Sequence, residues 1–317
     1  MRFALMTEPQ QGLSYDEILA LARTAEEAGL EAFFRSDHYA SFPGEGGLPT
    51  TDAWATLAGL ARETERIRLG TLVSPITFRL PGNLAKVIQT VDEMSGGRVE
   101  AGFGAGWNED EHAQLGFPFP PLRERYDMLE EQLAIIHGLW TEPDGWSYEG
   151  KHWQVRGSMR HGEIARGGRR HPPIILGGEG GPRQAALVAR YADEFNLTSA
   201  SPETVAPAYG RVRAACTAVG RDPEDVVYSA MTGVLVADTE ADLQTRVADL
   251  LAALGRAESE GEAWLAERRG RWVMGTPDEA RGRVEVLERQ GVQRVMLQDF
   301  IPRDLDHVRL MGTIFAA

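Results

Sequence analysis

The stretch RVEAGFGAGWNEDEH, residues 98–112, decides between two folds. An apolar run ends in alternating glycines, then a tryptophan, then acids. It is either a dinucleotide-binding fingerprint or the end of a buried barrel strand that opens onto another ligand. The fingerprint requires G-x-G-x-x-G, because its third glycine lets helix and strand pack closely. Counted from Gly102 the third position is Trp107, and counted from Gly104 it is Glu109, so both registers fail. Pro118, Pro120 and Pro121 argue against an amphipathic helix nearby, and Glu109, Asp110 and Glu111 would repel a pyrophosphate. The stretch therefore reads as a strand end. Gly104 and Gly106 lack side chains, so a flat ligand can approach the backbone, and Trp107 can wall it. The plainer alternative is that these glycines relieve crowding at a barrel mouth.

Working outward, strand-like runs fall at 2–7, 32–35, 66–73, 99–104, 173–176, 194–197, 226–236 and 292–298. Helical patterns lie between them. The first opens on the capping box Ser14-x-x-Glu17 and ends at Gly29; others cover 52–64, 83–94, 123–140, 183–191, 202–219 and 305–315. Strands alternating with helices imply a parallel sheet. Eight such units predict a closed (β/α)8 TIM barrel with insertions, spanning 1–317 as a single domain without a linker. A doubly wound open sheet is the structural rival.

Composition narrows the function. The 317 residues carry a net charge of −14, which opposes nucleic acid as a partner because phosphate binding needs a basic footprint. No apolar run approaches a membrane span, no signal-peptide pattern opens the chain, and the one cysteine, Cys216, permits no internal disulfide. These features predict a cytoplasmic protein.

Barrel topology sorts the loops, since segments after strands gather at the C-terminal mouth where barrel active sites form. Asp37-His38 follows the second strand, so His38 is either a titrating site residue or a structural histidine. PPIILGGEGGPR, residues 172–183, runs from a strand into a helix start. There, bare N–H groups at Gly177 and Gly178, with Arg183 adding charge, suit a phosphate. Glu109–His112 reads as a solvated acidic loop rather than a cation site. The arginine-rich stretch 156–171 precedes a strand and belongs at the barrel bottom, beside a small hairpin around 148–155. No Ser or Cys nucleophile motif and no zinc spacing appears, which favours a bound organic cofactor carrying the chemistry.

Together Ser36-Asp37-His38, LGTLVSP (69–75), DEMSGGR (92–98), GFGAGW (102–107), PPIILGGEGGPR with ARYADEFN (189–196), and WVMGTPDE (272–279) resemble the luciferase-like monooxygenase superfamily. The resemblance is strongest to its branch of coenzyme F420-dependent oxidoreductases, and it covers almost the whole chain. It implies a bacterial luciferase-like barrel, a deazaflavin at the mouth, hydride transfer to or from a small-molecule substrate, and a homodimer. It implies His38 as the catalytic residue close to the ring's reactive edge, with Asp37 beside it. Thr71, Leu72 and Val73 would back the ring through a bulge with a non-proline cis peptide. Gly104, Ala105 and Gly106 would lie along it, and Gly177, Gly178 and Arg183 would approach the phosphate. The family's sugar-phosphate dehydrogenases place a glutamate in the first mouth loop. Gln11 stands there, with Glu8 the nearest acid. The segment 237–276, with Trp264, Arg271 and Trp272, is expected to form a lid or substrate wall. Two alternatives stay open: an FMN-dependent monooxygenase fed by a partner reductase, and a flavin-binding protein without catalysis.

Overall fold

The computed structural model describes residues 1–42, 46–159 and 170–316. Eight strands form the barrel: β1 (Arg2–Thr7), β2 (Ala32–Arg35), β3 (Arg68–Thr71), β4 (Val99–Gly104), β5 (Ile174–Gly178), β6 (Glu194–Leu197), β7 (Val227–Val236) and β8 (Arg294–Asp299). Each pairs in parallel with the next, and β8 pairs with β1 from Arg2↔Arg294 to Thr7↔Asp299, so the ring closes. The open-sheet rival is thereby removed.

The strands form because alternate residues are apolar towards two different cores. Leu5, Phe33, Leu69, Phe103 and Leu176 face the helices in one large cluster. Ala4, Met6, Phe34, Ile175 and Met296 fill the barrel interior instead. Two residues further along the same strands, the inward positions are Ser36, Gly104, Gly177 and Gln298, which line a cavity at the C-terminal mouth. Interior packing thus gives way to a cavity within one pleat.

The helices start where capping chemistry places them. Ser14 and Glu17 form the expected reciprocal box at the start of Tyr15–Glu27. Asp52 caps Ala53–Glu63 by accepting the Ala55 N–H at 2.8 Å. At the barrel bottom, Arg294 is fully buried and meets Glu31 at 2.6 Å, Glu100 at 2.6 Å and Glu194 at 3.0 Å. Arg68 pairs with Glu100 from the side.

The hairpin expected around 148–155 is present as Trp146–Glu149 paired with Gln154–Ser158. Most of the arginine-rich stretch, 160–169, lies outside the described residues. Among the described residues no helix is long and apolar enough to cross a membrane.

The segment 237–276 departs from expectation. Its helices Glu240–Ala253 and Gly261–Arg268 build a small core of their own around Leu243, Val247, Leu250 and Trp264. Trp264 and Trp272 do not line the mouth cavity; Trp272 stacks on Phe300 at 5.3 Å, and only Phe300 reaches it. The tryptophans satisfy each other and their local core, so they back the wall rather than form it.

Candidate functional site

A cavity of about 710 Å³ opens at the C-terminal mouth. His38, Leu72, Val73, Gly104, Ala105, Gly106, Gly177 and Gly178 all line it. Three expected residues do not: Asp37, Thr71 and Arg183.

Val73 organises the wall. The Leu72–Val73 peptide is cis. The Val73 side chain occupies the space that side chains on two strands would need. A Cβ on Gly104 would lie 2.6 Å from Val73 Cγ2, and one on Gly177 would lie 2.8 Å from Val73 Cγ1. Val73 by itself requires glycine at both positions, a reason that the reading of Gly104 from sequence lacked. The result is still a smooth surface spanning β3, β4 and β5. Gly106 has φ +76, which also favours glycine.

The acidic loop is the larger correction. Residues Glu109–Leu115 form a short helix, with the Asn108 side chain accepting the Glu111 N–H and Gly116 left-handed at the other end. The prolines that argued against a helix fall just past its end. The helix turns Glu111 and His112 inward, and both are buried. Glu111 Oε2 accepts from His38 Nδ1 at 2.8 Å. Its Oε1 accepts the N–H of Ala40 at 3.0 Å and that of Tyr39. Burial alone would raise the Glu111 pKa. The hydrogen bond and charge of His38 and the two amides outweigh it and hold the carboxyl below its usual value. A carboxylate only accepts, so the His38 Nδ1 carries the hydrogen and Nε2 is left as the proton-exchanging atom. His38 packs edge-on against Phe42 and Trp107, with centroids at 4.5 and 5.7 Å.

Asp37 is buried behind this dyad. It accepts from Ser74 Oγ at 2.7 Å and from both Nη atoms of Arg79. Arg79 also reaches Asp52 and Tyr39. Burial opposes the Arg79 charge, but Asp37 and Asp52 more than restore it. This network fixes the backbone that presents His38, so Asp37 positions its neighbour instead of touching a ligand. Thr71 is also buried behind the wall and donates to the Gly102 carbonyl at 3.2 Å.

The corner expected to take a phosphate differs in its side chains. Arg183 points away, donating to Asp127 at 2.7 Å and to the Arg123 carbonyl at 3.0 Å. Gln184 takes the inner position. Its Nε2 donates to the Gly177 carbonyl at 2.6 Å, and its Oε1 accepts the Gly180 N–H at 2.8 Å. The helix Pro182–Tyr191 begins at Gly181 with no side-chain cap, which leaves first-turn amides facing outward. Because Glu179 lines the same wall, an anion there must be held by amides rather than by side-chain charge.

Across the mouth, Glu8 lines the cavity and is 7% exposed. Gln10, Ser36 and Gln298 surround it. Gln11, the position aligned with the family's glutamate, lines a neighbouring cavity instead. Sequence reading missed Glu111, Gln184, Arg79 and the orientation of Glu8. The signal for Glu111 was present: Asn108-x-x-Glu111 followed by Gly116 is a complete short-helix signature.

The chain is thus a closed parallel (β/α)8 barrel with a cavity at its C-terminal mouth, lined by a histidine–carboxylate dyad and a glycine-rich strand end. The family model for luciferase-like monooxygenases matches residues 1–294. The chain belongs to that family. An uncharacterized protein of Mycobacterium tuberculosis is 33% identical over 194 residues, covering 56% of this chain and 66% of that one. An F420-dependent glucose-6-phosphate dehydrogenase of Mycolicibacterium fortuitum is 33% identical over 219 residues, covering 66% of this chain and 62% of its own. The chain thus spans slightly less than two thirds of these relatives. Among solved structures, an F420-dependent secondary alcohol dehydrogenase in complex with an F420-acetone adduct superposes with TM-score 0.80 at 19% identity, over 99% of this chain and 98% of that one. The monooxygenase RslO1 from Streptomyces bottropensis gives TM-score 0.79 at 24% identity, over 100% of this chain and 98% of its own. These likenesses establish the fold.

Proposed function

We propose that this chain is an F420-dependent oxidoreductase that moves a hydride between the deazaflavin and a small organic substrate. The observation that carries the proposal is the His38–Glu111 dyad beside the smooth wall made by Val73, Gly104 and Gly177. The relatives whose names specify F420 support the choice of coenzyme.

The residues fit such a group. The wall at Leu72–Val73 and Gly104–Gly106 suits a flat ring, and the uncapped helix start at Gly181 suits its phosphate. When bound, the deazaflavin would supply a ring that accepts or gives a hydride. The chain's own part is positioning and proton transfer. Glu111 fixes the His38 ring and tautomer. In oxidation of an alcohol, Nε2 would take the hydroxyl proton, and the carbinol hydride is what the bound ring would accept as the C=O bond forms. In reduction the same atom returns the proton. Phe42 and Trp107 pack edge-on against the imidazole and limit its rotation.

FMN with a partner reductase is the competing assignment, because FMN also carries a phosphate. Two assays separate them: anaerobic bleaching of F420 by an alcohol panel, and oxygen uptake with reduced FMN. Bleaching without oxygen uptake is expected. Substrate-dependent oxygen uptake with FMN, and no bleaching of F420, would reverse the assignment.

A further inference from the structure

The geometry points to a substrate without anionic groups, one that donates an O–H or N–H to Glu8. The inference rests on the proposed oxidoreductase reaction for its chemistry, but the binding preference follows from the cavity itself. In the ring of eight strands, β1 lies opposite β5, and β8 lies opposite β4. If the coenzyme occupies the β3–β5 wall, the substrate faces β7, β8 and β1, with Ser36 after β2 at the edge of that face. That face carries one polar cluster with a fixed direction. Ser36 Oγ donates to Gln10 Oε1 at 2.6 Å, and Gln10 Nε2 donates to Glu8 Oε2 at 2.7 Å. From the other side Gln298 Nε2 donates to Glu8 Oε1 at 2.6 Å. Every one of these hydrogen bonds runs towards the carboxylate. Each of its oxygens accepts one amide donor and keeps a lone pair, so the vacant capacity on Glu8 is for a donor.

Charge points the same way. Among the described residues, Glu8, Glu111 and Glu179 line the cavity and no lysine or arginine does. The nearby guanidinium groups are engaged elsewhere: Arg79 with Asp37 and Asp52, Arg183 with Asp127, and Arg303 with Glu17. A phosphate or carboxylate on the substrate would enter a low-dielectric site of like charge with no lysine or arginine among the described lining residues to meet it. Met231 and Phe300 complete this face and suit a hydrocarbon frame. Sugar phosphates, the substrates named for several relatives, do not fit it.

The test uses benzyl alcohol and its para-carboxylate and para-aminomethyl derivatives, which share one carbinol and differ in charge. Calorimetry measures their binding to the full chain without coenzyme, in the wild type and in Glu8→Gln. Like-charge repulsion should make the carboxylate bind at least about tenfold more weakly than the alcohol, with the amine at least as tight as the alcohol. Glu8→Gln should shrink the alcohol–carboxylate gap to within about threefold, with an unchanged melting temperature as the control for folding. Equal or tighter binding of the carboxylate, an unchanged gap in Glu8→Gln, or binding of none of the three overturns the inference. The same series is then assayed for F420 reduction. A charge preference without F420 turnover of these alcohols leaves Glu8 in place and counts only against the proposed reaction. F420 turnover that is indifferent to charge does the reverse.

Discussion

Glu111 Oε2 and His38 Nδ1 meet at 2.8 Å across 73 residues of sequence, from two different mouth loops. The carboxylate is fully buried, and two backbone amides complete its hydrogen bonding. Its hydrogen bonds to His38 and to the two amides make it the group that orients the imidazole, a relation that gives both residues separable phenotypes. His38→Ala should lower kcat by roughly 10²–10⁴-fold with coenzyme affinity little changed. Loss of binding in parallel with turnover would make His38 a ring-positioning residue instead.

Glu111→Gln keeps the shape and removes the charge. Losing the orienting carboxylate should forfeit part of the roughly 10²–10⁴-fold that a positioned histidine contributes, and the fall should appear in kcat more than in KM. The carboxyl is held below its usual pKa, so the dyad should persist as pH falls below the ordinary carboxylate range. In Glu111→Gln the acidic limb of the kcat profile should move, while a purely structural role would leave that profile in place and change only the melting temperature.

The phosphate corner separates two neighbours. Arg183→Ala should leave coenzyme affinity within about twofold, because an exposed ion pair contributes little and this one faces away. Gln184→Ala removes the hydrogen bonds that join the Gly177 carbonyl to the Gly180 N–H. Affinity for phosphate-bearing coenzyme should then fall about tenfold, the usual scale for losing buried hydrogen bonds. A larger loss in Arg183→Ala than in Gln184→Ala would place the phosphate outside this corner.

The wall can be tested by a double substitution. Gly104→Ala forces a methyl into Val73 Cγ2 and should cost about 1–3 kcal/mol of stability, as overpacking does. Adding Val73→Ala should recover much of that loss, with a coupling energy of about 0.5–3 kcal/mol. Additive melting shifts would mean that the two positions do not share space.

Stability against acid should come from the barrel bottom. Burial would raise the Glu100 pKa, but Arg294 and Arg68 outweigh it and hold the value at about 2, against an ordinary 4.5. A depressed carboxylate stabilises the fold above its unfolded pKa and loses that contribution as pH falls through the folded value. Urea melts should therefore show stability declining between about pH 4.5 and 2, and Glu100→Gln should flatten that decline. Glu194 is shifted upward by burial and by Glu100, so Glu194→Gln should cost less at neutral pH. Arg294→Met leaves the acids uncompensated and should destabilise by about 3–5 kcal/mol.

Much of the barrel was legible because its signals are local. Runs such as Ala32–Arg35 and Val99–Gly104 are buried on both faces and read as short strands rich in apolar residues. Ser14 and Glu17 mark a helix start within four residues. The site was legible only in part. His38, Val73 and the glycines at Gly104 and Gly177 stand in motifs, whereas Glu111 sits among three consecutive acids whose individual orientations depend on a seven-residue helix. Arg183 and Gln184 are adjacent in sequence but point in opposite directions from the first turn of a helix, and composition favours the wrong one. The facing of Glu8 is set by partners at Gln10 and Gln298, the latter at the far end of the chain.

The coenzyme is the central claim, and fluorescence titration of the purified protein with F420 and with FMN tests it most directly. The acidic tail of a bound deazaflavin would leave the mouth of a protein with net charge −14, so affinity should rest on the ring and the first phosphate. F420 of different tail lengths should bind with near-equal affinity, and FMN at least about tenfold more weakly, a difference of about 1.4 kcal/mol. FMN binding more tightly than every form of F420 would contradict the account.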